Sequence, residues 1–546
     1  MMRYLLVGLA VFLAACGKAG APATGDAATA AKSQRVLAAG AQVAGVNGLH
    51  FAPDGALYAA SVIGSEMVVV DPDSGEIRRR YGAADGVHGP DDVAFGPDGS
   101  WFWTSIMTGE VAGFSAAGER VVAAQLTPGV NPITFSDDGR LFVSQCFFGT
   151  NLYEVDPTGE KPARLIADDL GPGCGLNGMD WGPDGRLYGP RWFTGEIVRF
   201  NVDTGERETV ADGFRTPAAV KFDSQGRLHV LDTGLGTVNR LEGTEKVVVA
   251  TLDPGLDNFA FDRNDRLFVS SFVDGYIARV EPDGRITKLL PGGIAHPGGV
   301  TVVPMGGRPA VLVADLHSLR GFDPDTGESL FVERNVLGVG ELGSVLSVAA
   351  DGTNVILASF TDNSVRRWDP VQRRNLQRWD NLAAPVGAIP YAGGVAVALY
   401  GTQNVVLLGD GEPLTLAAGL ASPTGLAVDG DTLLVSDRAT GRVLRIARGG
   451  APIAAEEVAS GLANPEGIRM SAHGLVVVEG ESGRVLLVRD GVAREVAKVA
   501  PGTPPSGPAS PPSMIFNDVE VAGDTLFVTS ETDHALVRVD NFAADL

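Results

Sequence analysis

The chain has 546 residues, of which 45% are hydrophobic and 7% aromatic, and its formal net charge is −23. This length is sufficient for more than one hydrophobic core, and the charge disfavours nucleic acid as a partner because the phosphate backbone would be repelled. The 72 glycines and 33 prolines are typical of a protein with many tight turns.

The first 16 residues have the features of an export signal. Arg3 is a positive n-region, and residues 4–13 form an apolar stretch that is too short to span a bilayer. The stretch ends in Leu-Ala-Ala-Cys16-Gly17, which resembles a bacterial lipoprotein signal and implies that Cys16 is lipidated. Gly17, in place of the Asp that retains such proteins at the inner membrane, favours the outer membrane, facing the periplasm or the cell surface. Residues 17–33, rich in Ala, Gly and Thr, are expected to form a flexible tether that leaves the lipid as the only membrane contact.

A short pattern then repeats along the rest of the chain. It consists of a turn rich in small residues, Asn or Asp, an apolar strand, a Pro-Asp-Gly turn and further strands, as in the segment 47–58. The copies are about 43 residues apart, which is the period of a four-stranded propeller blade. Their inner strands open near residues 46, 89, 129, 175, 216, 255, 296, 340, 384, 422, 464 and 515.

Twelve blades are too many for one natural ring, so the sequence predicts an all-β protein of two tandem six-bladed β-propellers. Residues 35–43 look like an outer strand with no blade before them, and the last copy has only three strands. We therefore expect each ring to begin with an outer strand that pairs with its own last blade. This phasing assigns residues 34–282 to propeller one and 283–546 to propeller two, with the Pro-rich residues 501–513 as a loop before the last blade.

Two cysteines remain for the folded part of the chain. Cys146 follows the second strand of the third copy, and Cys174 precedes the first strand of the fourth. These positions lie on the same face of adjacent blades, and the export signal implies an oxidising compartment. We therefore predict a disulfide between them.

Polar residues recur where the inner strands of propeller one begin, the end at which they face the central channel. Five of the six positions carry Asn or Asp, and they are Asn47, Asp91, Asn131, Asn177 and Asp257. Converging carboxylate and amide oxygens suit a hard divalent cation such as Ca²⁺. Asn and Asp are also favoured in turns, where they bond their own backbone, so a structural role for each residue stays open.

The motifs Asn177-Gly-Met-Asp-Trp and Asn131-Pro-Ile-Thr-Phe, with the Pro-Asp-Gly-Arg-Leu turns, resemble the senescence-marker-protein, gluconolactonase and luciferin-regenerating-enzyme family. Its relatives include strictosidine-synthase-like proteins, diisopropylfluorophosphatase and paraoxonases. The resemblance implies six-bladed propellers with Ca²⁺ in the channel that hydrolyse lactones or phosphoesters. The chain departs from the family where Asn47 replaces a Glu and Ala218 replaces an Asp.

The resemblance leaves three functions open. If propeller one is an enzyme, it implies that Asp91 or Asp257 is the nucleophile or base and that His88 moves protons. The apolar rim would receive a small-molecule substrate, and we expect its residues to be Phe147, Phe148, Arg191 and Trp192, together with Met107, Phe193 and Phe272. The alternatives are a non-catalytic propeller that binds a ligand or protein, since Pro465-Glu466-Gly467-Ile468 resembles NHL repeats, and a lyase similar to virginiamycin B lyase.

Overall fold

In the computed structural model, residues 31–243, 245–336, 340–502 and 516–544 are described. The signal segment with Cys16, most of the expected tether and most of the Pro-rich loop lie outside these residues. Among the described residues, no helix is both long and apolar enough to cross a membrane.

The described chain forms twelve four-stranded antiparallel sheets. The first six are β2 Val46–Phe51, β3 Leu57–Ser61, β4 Glu66–Val70, β5 Ile77–Tyr81; β6 Pro90–Phe95, β7 Trp101–Ser105, β8 Glu110–Phe114, β9 Arg120–Gln125; β10 Val130–Phe135, β11 Leu141–Gln145, β12 Leu152–Val155, β13 Arg164–Ala167; β14 Asp180–Trp181, β15 Leu187–Arg191, β16 Glu196–Phe200, β17 Arg207–Ala211; β18 Pro217–Phe222, β19 Leu228–Asp232, β20 Thr237–Glu242, β21 Glu245–Thr251; and β22 Leu256–Phe261, β23 Leu267–Ser271, β24 Ile277–Val280, β25 Ile286–Leu290.

The second six are β26 Val300–Met305, β27 Arg308–Ala314, β28 Ser318–Phe322, β29 Ser329–Arg334; β30 Ser347–Asp351, β31 Asn354–Ser359, β32 Ser364–Asp369, β33 Arg374–Trp379; β34 Pro385–Tyr391, β35 Gly394–Leu399, β36 Asn404–Leu408, β37 Leu414–Ala417; β38 Pro423–Asp429, β39 Thr432–Asp437, β40 Arg442–Arg448, β41 Ala451–Ala459; β42 Pro465–Ser471, β43 Gly474–Glu479, β44 Arg484–Arg489, β45 Val492–Lys498; and β46 Val519–Ala522, β47 Thr525–Ser530, β48 Ala535–Asp540 with β1 Ser33–Ala38. Short 3₁₀ helices span Ala83–Asp85 and Arg438–Thr440.

The sheets close into two rings of six blades, as the sequence predicted. Inner strands of successive blades touch, β2 contacts β22 to close the first ring, and β26 contacts β46 to close the second. The hydrophobic core lies between neighbouring blades, as where Met67 and Tyr81 of the first blade pack against Val93 and Trp103 of the second. The fold class is therefore confirmed.

The turn between the first two strands of a blade explains the recurrent Pro-Asp-Gly sequence. Gly55 has φ +88°, a left-handed conformation that other residues rarely adopt. The Asp54 carboxylate accepts the backbone N–H of Ala56 at 3.0 Å, so the side chain stabilises the turn that it begins.

The closing strand of the second ring corrects the expected phasing. β1 pairs with β48 of the last blade, not with the sixth blade of the first ring. That sixth blade takes its outer strand from Ile286–Leu290, which pairs with Ile277–Val280. The first ring therefore extends to Leu290 rather than to residue 282, and only the second ring is closed by a strand from the other end of the chain.

A buried ionic group joins the two propellers. Arg320 of β28 donates to the Asp274 carboxylate at 2.9 Å and to the Val273 carbonyl at 3.0 Å, both in the first propeller, and it also pairs with Asp315. Arg334 reaches Asp274 at 2.8 Å. These contacts fix the edge of one ring against the edge of the other.

Candidate functional site

The inner strands of the first propeller carry a β-bulge at their channel end. The pairing register shifts between Val46 and Leu49, between Pro90 and Val93, and at the same point of the third and sixth blades. A bulge at a fixed position re-aims one side chain per blade. It thus brings the predicted residues toward one channel, where Asn47, Asp91, Asn131 and Asn177 are buried and Asp257 is partly exposed.

Asp91 and Asp257 belong to the second and sixth blades, on either side of the first. Burial raises the pKa of Asp91 well above its usual value, and the charges of Asp257 and then Asp92 raise it further. Burial, followed by the charge of Asp92, raises the pKa of Asp257 to about 7. The electrostatic effect of Asp257 on Asp91 indicates that the two carboxyl groups lie in the same part of the channel.

Asn47 has a different role from the expected one. Its side-chain oxygen accepts the backbone N–H of Val62 at 3.2 Å, and its side chain also hydrogen-bonds Asp257, which lowers the pKa of that carboxyl. Because a carboxylate accepts hydrogen bonds, the amide nitrogen of Asn47 donates to Asp257. Asn47 therefore positions this carboxylate, and its side-chain oxygen keeps a second lone pair.

On the opposite side of the channel are the two asparagines of the family motif. The side-chain oxygen of Asn177 accepts the N–H of Gly178 at 3.0 Å, a local contact that leaves a second lone pair on that oxygen. Asn131 is buried in β10, and its backbone carbonyl accepts the hydroxyl of Thr104. The channel thus combines two carboxylates with two amide side chains.

A second layer of charged residues lies deeper in the channel. Asp92 accepts the N–H groups of Val93 at 2.9 Å and Ile133 at 3.3 Å, and Asn258 donates to it at 3.4 Å from the sixth blade. These residues lie one position beyond Asp91 and Asp257, where regular alternation would turn them away from the channel. The bulge turns them inward.

A buried lysine, Lys221, lies at the floor of the channel. Lys221 donates to the Met179 carbonyl at 3.3 Å, and its charge offsets part of the effect of burial on the pKa of Asp92 and of Asp180. Burial, followed by the charge of Lys221, lowers the pKa of His50 to about 4. His50, Asp180 and Lys221 occupy the same position on three inner strands. Each comes three residues after the channel-end position of its blade, which is Asn47, Asn177 or Ala218. This regular spacing could have identified them from the sequence.

The expected rim is only partly assembled around the channel. Phe147 and Phe148 are exposed, Trp192 is buried, and the rings of Phe147 and Trp192 lie 6.1 Å apart. Arg191 forms an ion pair with Glu196 at 2.5 Å. His88 is exposed and has no hydrogen bond or ion pair with Asp91 among the described residues.

The disulfide between Cys146 and Cys174 is present, which confirms that prediction. It links the loop after β11 to the segment before β14, in adjacent blades. Among the described residues, no group of three or more His, Cys, Asp and Glu lies in an arrangement that could hold a metal ion. A cation in this channel would instead need both Asp carboxylates together with amide oxygens.

No protein-family model matches the chain, and no curated protein is significantly similar to it. Solved structures that match include the extracellular domain of the putative one component system BT4673 from B. thetaiotaomicron, with 11% identity, a TM-score of 0.31 and coverage of 94% of this chain and 82% of that chain. A second is the extracellular domain of the putative hybrid two component system BT4673, with 10% identity, a TM-score of 0.32 and coverage of 94% and 83%. At these scores the similarity carries no argument about function, so the description as two tandem six-bladed β-propellers rests on the strand pairing of the chain itself.

Proposed function

We propose that the first propeller binds a divalent cation, in the first place Ca²⁺, between Asp91 and Asp257 and hydrolyses a lactone or related ester there. The observation that carries the proposal is the pair of carboxyl groups, each with a pKa raised by burial, of which Asp257 acts on Asp91 through its charge. No Lys or Arg among the described residues forms an ion pair with either of them. A cation would remove their repulsion, and the oxygens of Asn131 and Asn177 suit its preference for hard ligands.

The chain's own residues support a hydrolytic site in three ways. Asp91 or Asp257, once ionised, can accept a proton from a water molecule in the channel. Asn47 holds Asp257 in place, and Phe147 with Trp192 provides an apolar wall for the acyl part of a substrate. The bound cation would supply polarisation of the substrate carbonyl.

The second candidate is a propeller that binds a cation or ligand without catalysis. It is favoured by His88, which is exposed at the rim and leaves the two carboxylates without a proton relay. Lipid anchoring at Cys16 and a location in the cell envelope belong equally to this proposal and to the hydrolase.

Thermal unfolding of the mature protein with Cys16→Ser tests cation binding. After removal of metal with EDTA, added Ca²⁺ should raise the melting temperature. At a Ca²⁺ concentration of 100 times Kd, binding should increase the free energy of unfolding by about 2.7 kcal/mol. Asp91→Asn and Asp257→Asn should abolish the rise. Glu466→Gln, a buried carboxylate at the equivalent position of the second propeller, is the matched control and should keep it.

Hydrolysis of δ-gluconolactone, a homoserine lactone and phenyl acetate by the same samples separates the two functions. Hydrolysis that requires Ca²⁺ and both carboxylates supports the enzyme. Binding of Ca²⁺ without hydrolysis supports the non-catalytic propeller. If Ca²⁺, Mg²⁺ and Mn²⁺ all leave the melting temperature unchanged, the cation site and the metal-dependent hydrolase are both wrong, and only a propeller that binds a ligand without a cation is left.

A further inference from the structure

The channel of the second propeller contains a separate cavity of about 40 Å³. Such a volume admits a few water molecules or the head group of a small ligand. One side of the cavity is apolar, with Leu346 and Val386, and the other is polar, with Thr424, Glu466 and Asn517. Four of the six residues in the next layer of the inner strands are glycines, and they are Gly299, Gly387, Gly425 and Gly467. Because a Cβ at these positions would meet the neighbouring inner strand, the channel is narrow below the cavity.

One buried hydrogen-bond donor in this cavity lacks a partner within the described part of the chain. Asn517 is fully buried, and its side-chain oxygen accepts the N–H of Glu531 at 2.8 Å. Its Nδ2 group has no hydrogen-bond partner among the described residues. An unsatisfied buried donor costs roughly 1–3 kcal/mol, so a ligand that offers an acceptor here would recover that energy.

Each carboxylate oxygen of Glu466, the acidic residue of the cavity, already has a protein donor. One oxygen of Glu466 accepts Nε of Arg438 at 3.0 Å, and the other accepts the backbone N–H of Asn517 at 2.9 Å. Arg438 uses only Nε in this pair, so its terminal nitrogens are free of hydrogen bonds within the described residues. The groups without a hydrogen-bond partner among the described residues here are therefore donors, namely Nδ2 of Asn517 and the terminal nitrogens of Arg438.

The mouth above the cavity is apolar on one side. It is surrounded by the loops that follow the second strand of each blade. In four successive blades these loops contain Leu316, Phe360, Tyr400 and Arg438. The first three belong to one hydrophobic cluster that includes Leu346, Val386 and Phe516. The guanidinium carbon of Arg438 lies 5.9 Å from the ring centre of Phe516. Burial raises the pKa of Tyr400, and the charge of Arg438 offsets part of this rise. The guanidinium of Arg438 thus lies at the border of the apolar surface.

We propose that this cavity is a second ligand site, which binds a small organic carboxylate with an apolar body. The carboxylate would accept from Nδ2 of Asn517 and from the terminal nitrogens of Arg438, and the apolar body would lie against Phe360, Tyr400 and Phe516. An organic amine of the same shape would bring a second positive charge beside Arg438 and would leave Nδ2 of Asn517 without an acceptor. The site is independent of the cation site proposed for the first propeller.

Melting temperatures with four carboxylate probes, namely acetate, isovalerate, benzoate and phenylacetate, test this site. At least one probe with an apolar body should raise the melting temperature, and 2-phenylethylamine, the cationic counterpart of phenylacetate, should not. If none of the four raises it, or if the amine is equally effective, the proposal is wrong.

Titration calorimetry with the best probe locates the site. Arg438→Gln and Asn517→Asp should each weaken binding at least tenfold. Arg442→Gln, at the start of β40 with its Nε against the hydroxyl of Thr440, is the matched control and should bind as the wild type does. Unchanged binding by Arg438→Gln would overturn the proposal even if Asn517→Asp fails to fold, and folding of each variant is checked by its cooperative unfolding.

Discussion

The strand that closes the second propeller offers a sharp test of the topology. Leu37 of β1 is 7% exposed, and it packs with Ile294, Phe322 and Leu536 in a cluster shared by the first and last blades of that ring. Its neighbour Val36 is 57% exposed and points away from the cluster. Leu37 and Val36 are neighbours on one strand, and their side chains lie on opposite faces. Substituting each in turn therefore distinguishes the effect of losing a buried side chain from the effect of changing a strand residue.

Leu37→Ala should lower the free energy of unfolding by about 3 kcal/mol, because a buried Leu leaves a cavity when it is truncated. At roughly 3 °C per kcal/mol for a domain of about 250 residues, the melting temperature of the second propeller should fall by roughly 9 °C. Val36→Ala, the matched control, should change stability by less than about 0.5 kcal/mol.

Urea unfolding measures the total loss, and hydrogen exchange locates it. In Leu37→Ala, amides of β47 and β48 should lose protection, while those of β23 and β24 in the sixth blade of the first propeller should keep it. Loss of protection in β23 and β24 instead would show that β1 closes the first ring, and the pairing described above would be wrong.

The disulfide, the buried ion pair and the buried glutamate give three further predictions. The disulfide joins cysteines 28 residues apart, so Cys146→Ser with Cys174→Ser should cost about 3.5 kcal/mol in urea unfolding, and an unchanged midpoint would contradict a stabilising bond. Arg320→Ala leaves the buried Asp315 without its cation and should cost roughly 3–5 kcal/mol, whereas a loss below about 1 kcal/mol would show that the pair is solvated. Burial raises the pKa of Glu466 from 4.5 to about 7, so the folded state binds this proton more tightly than the unfolded state, and the resulting stability is complete below pH 4.5 and is lost as the pH rises through 7. Glu466→Gln should therefore remove about 3 kcal/mol of the decrease in unfolding free energy between pH 4.5 and 8, and identical pH profiles for variant and wild type would refute the shift.

The repeat pattern was sufficient to predict the blades because each blade is defined by local signals. An apolar strand, a Pro-Asp-Gly turn and a second apolar strand specify a hairpin within about a dozen residues. Counting along that pattern also placed Asp91 and Asp257 near the start of their inner strands, and they lie there, in β6 and β22. Such counting works wherever every blade has the same bulge at the same place.

The order of closure could not be read from the same signals. Residues 33–38 and residues 286–290 both look like outer strands, and each could pair with either sixth blade. The deciding feature is the turn Glu281-Pro-Asp-Gly-Arg285, in which the N–H of Glu281 donates to the carbonyl of Arg285 at 2.8 Å. A tight hairpin closes a short loop at little entropic cost, so β25 pairs with β24, and β1 is left for the distant β48.

The deeper charged layer was missed for a different reason. In a regular strand the side chains of Asp92 and Lys221 would point away from the channel. The bulge, however, changes the pairing register by one residue. The polar contacts that follow, such as Asn258 with Asp92, join residues from different blades. No local pattern specifies them.

The joint between the propellers leads to a last prediction about the halves of the chain. β1 belongs to the second ring and leads at once into the first, while Arg320 of the second ring is held by Asp274 of the first. A protease site inserted after Pro291, between the rings, should therefore yield two fragments that remain associated in size-exclusion chromatography. The same cut in Arg320→Ala with residues 31–38 deleted should release them. If the fragments of the otherwise unchanged chain separate at micromolar concentration, the joint is too weak to make the two propellers one unit.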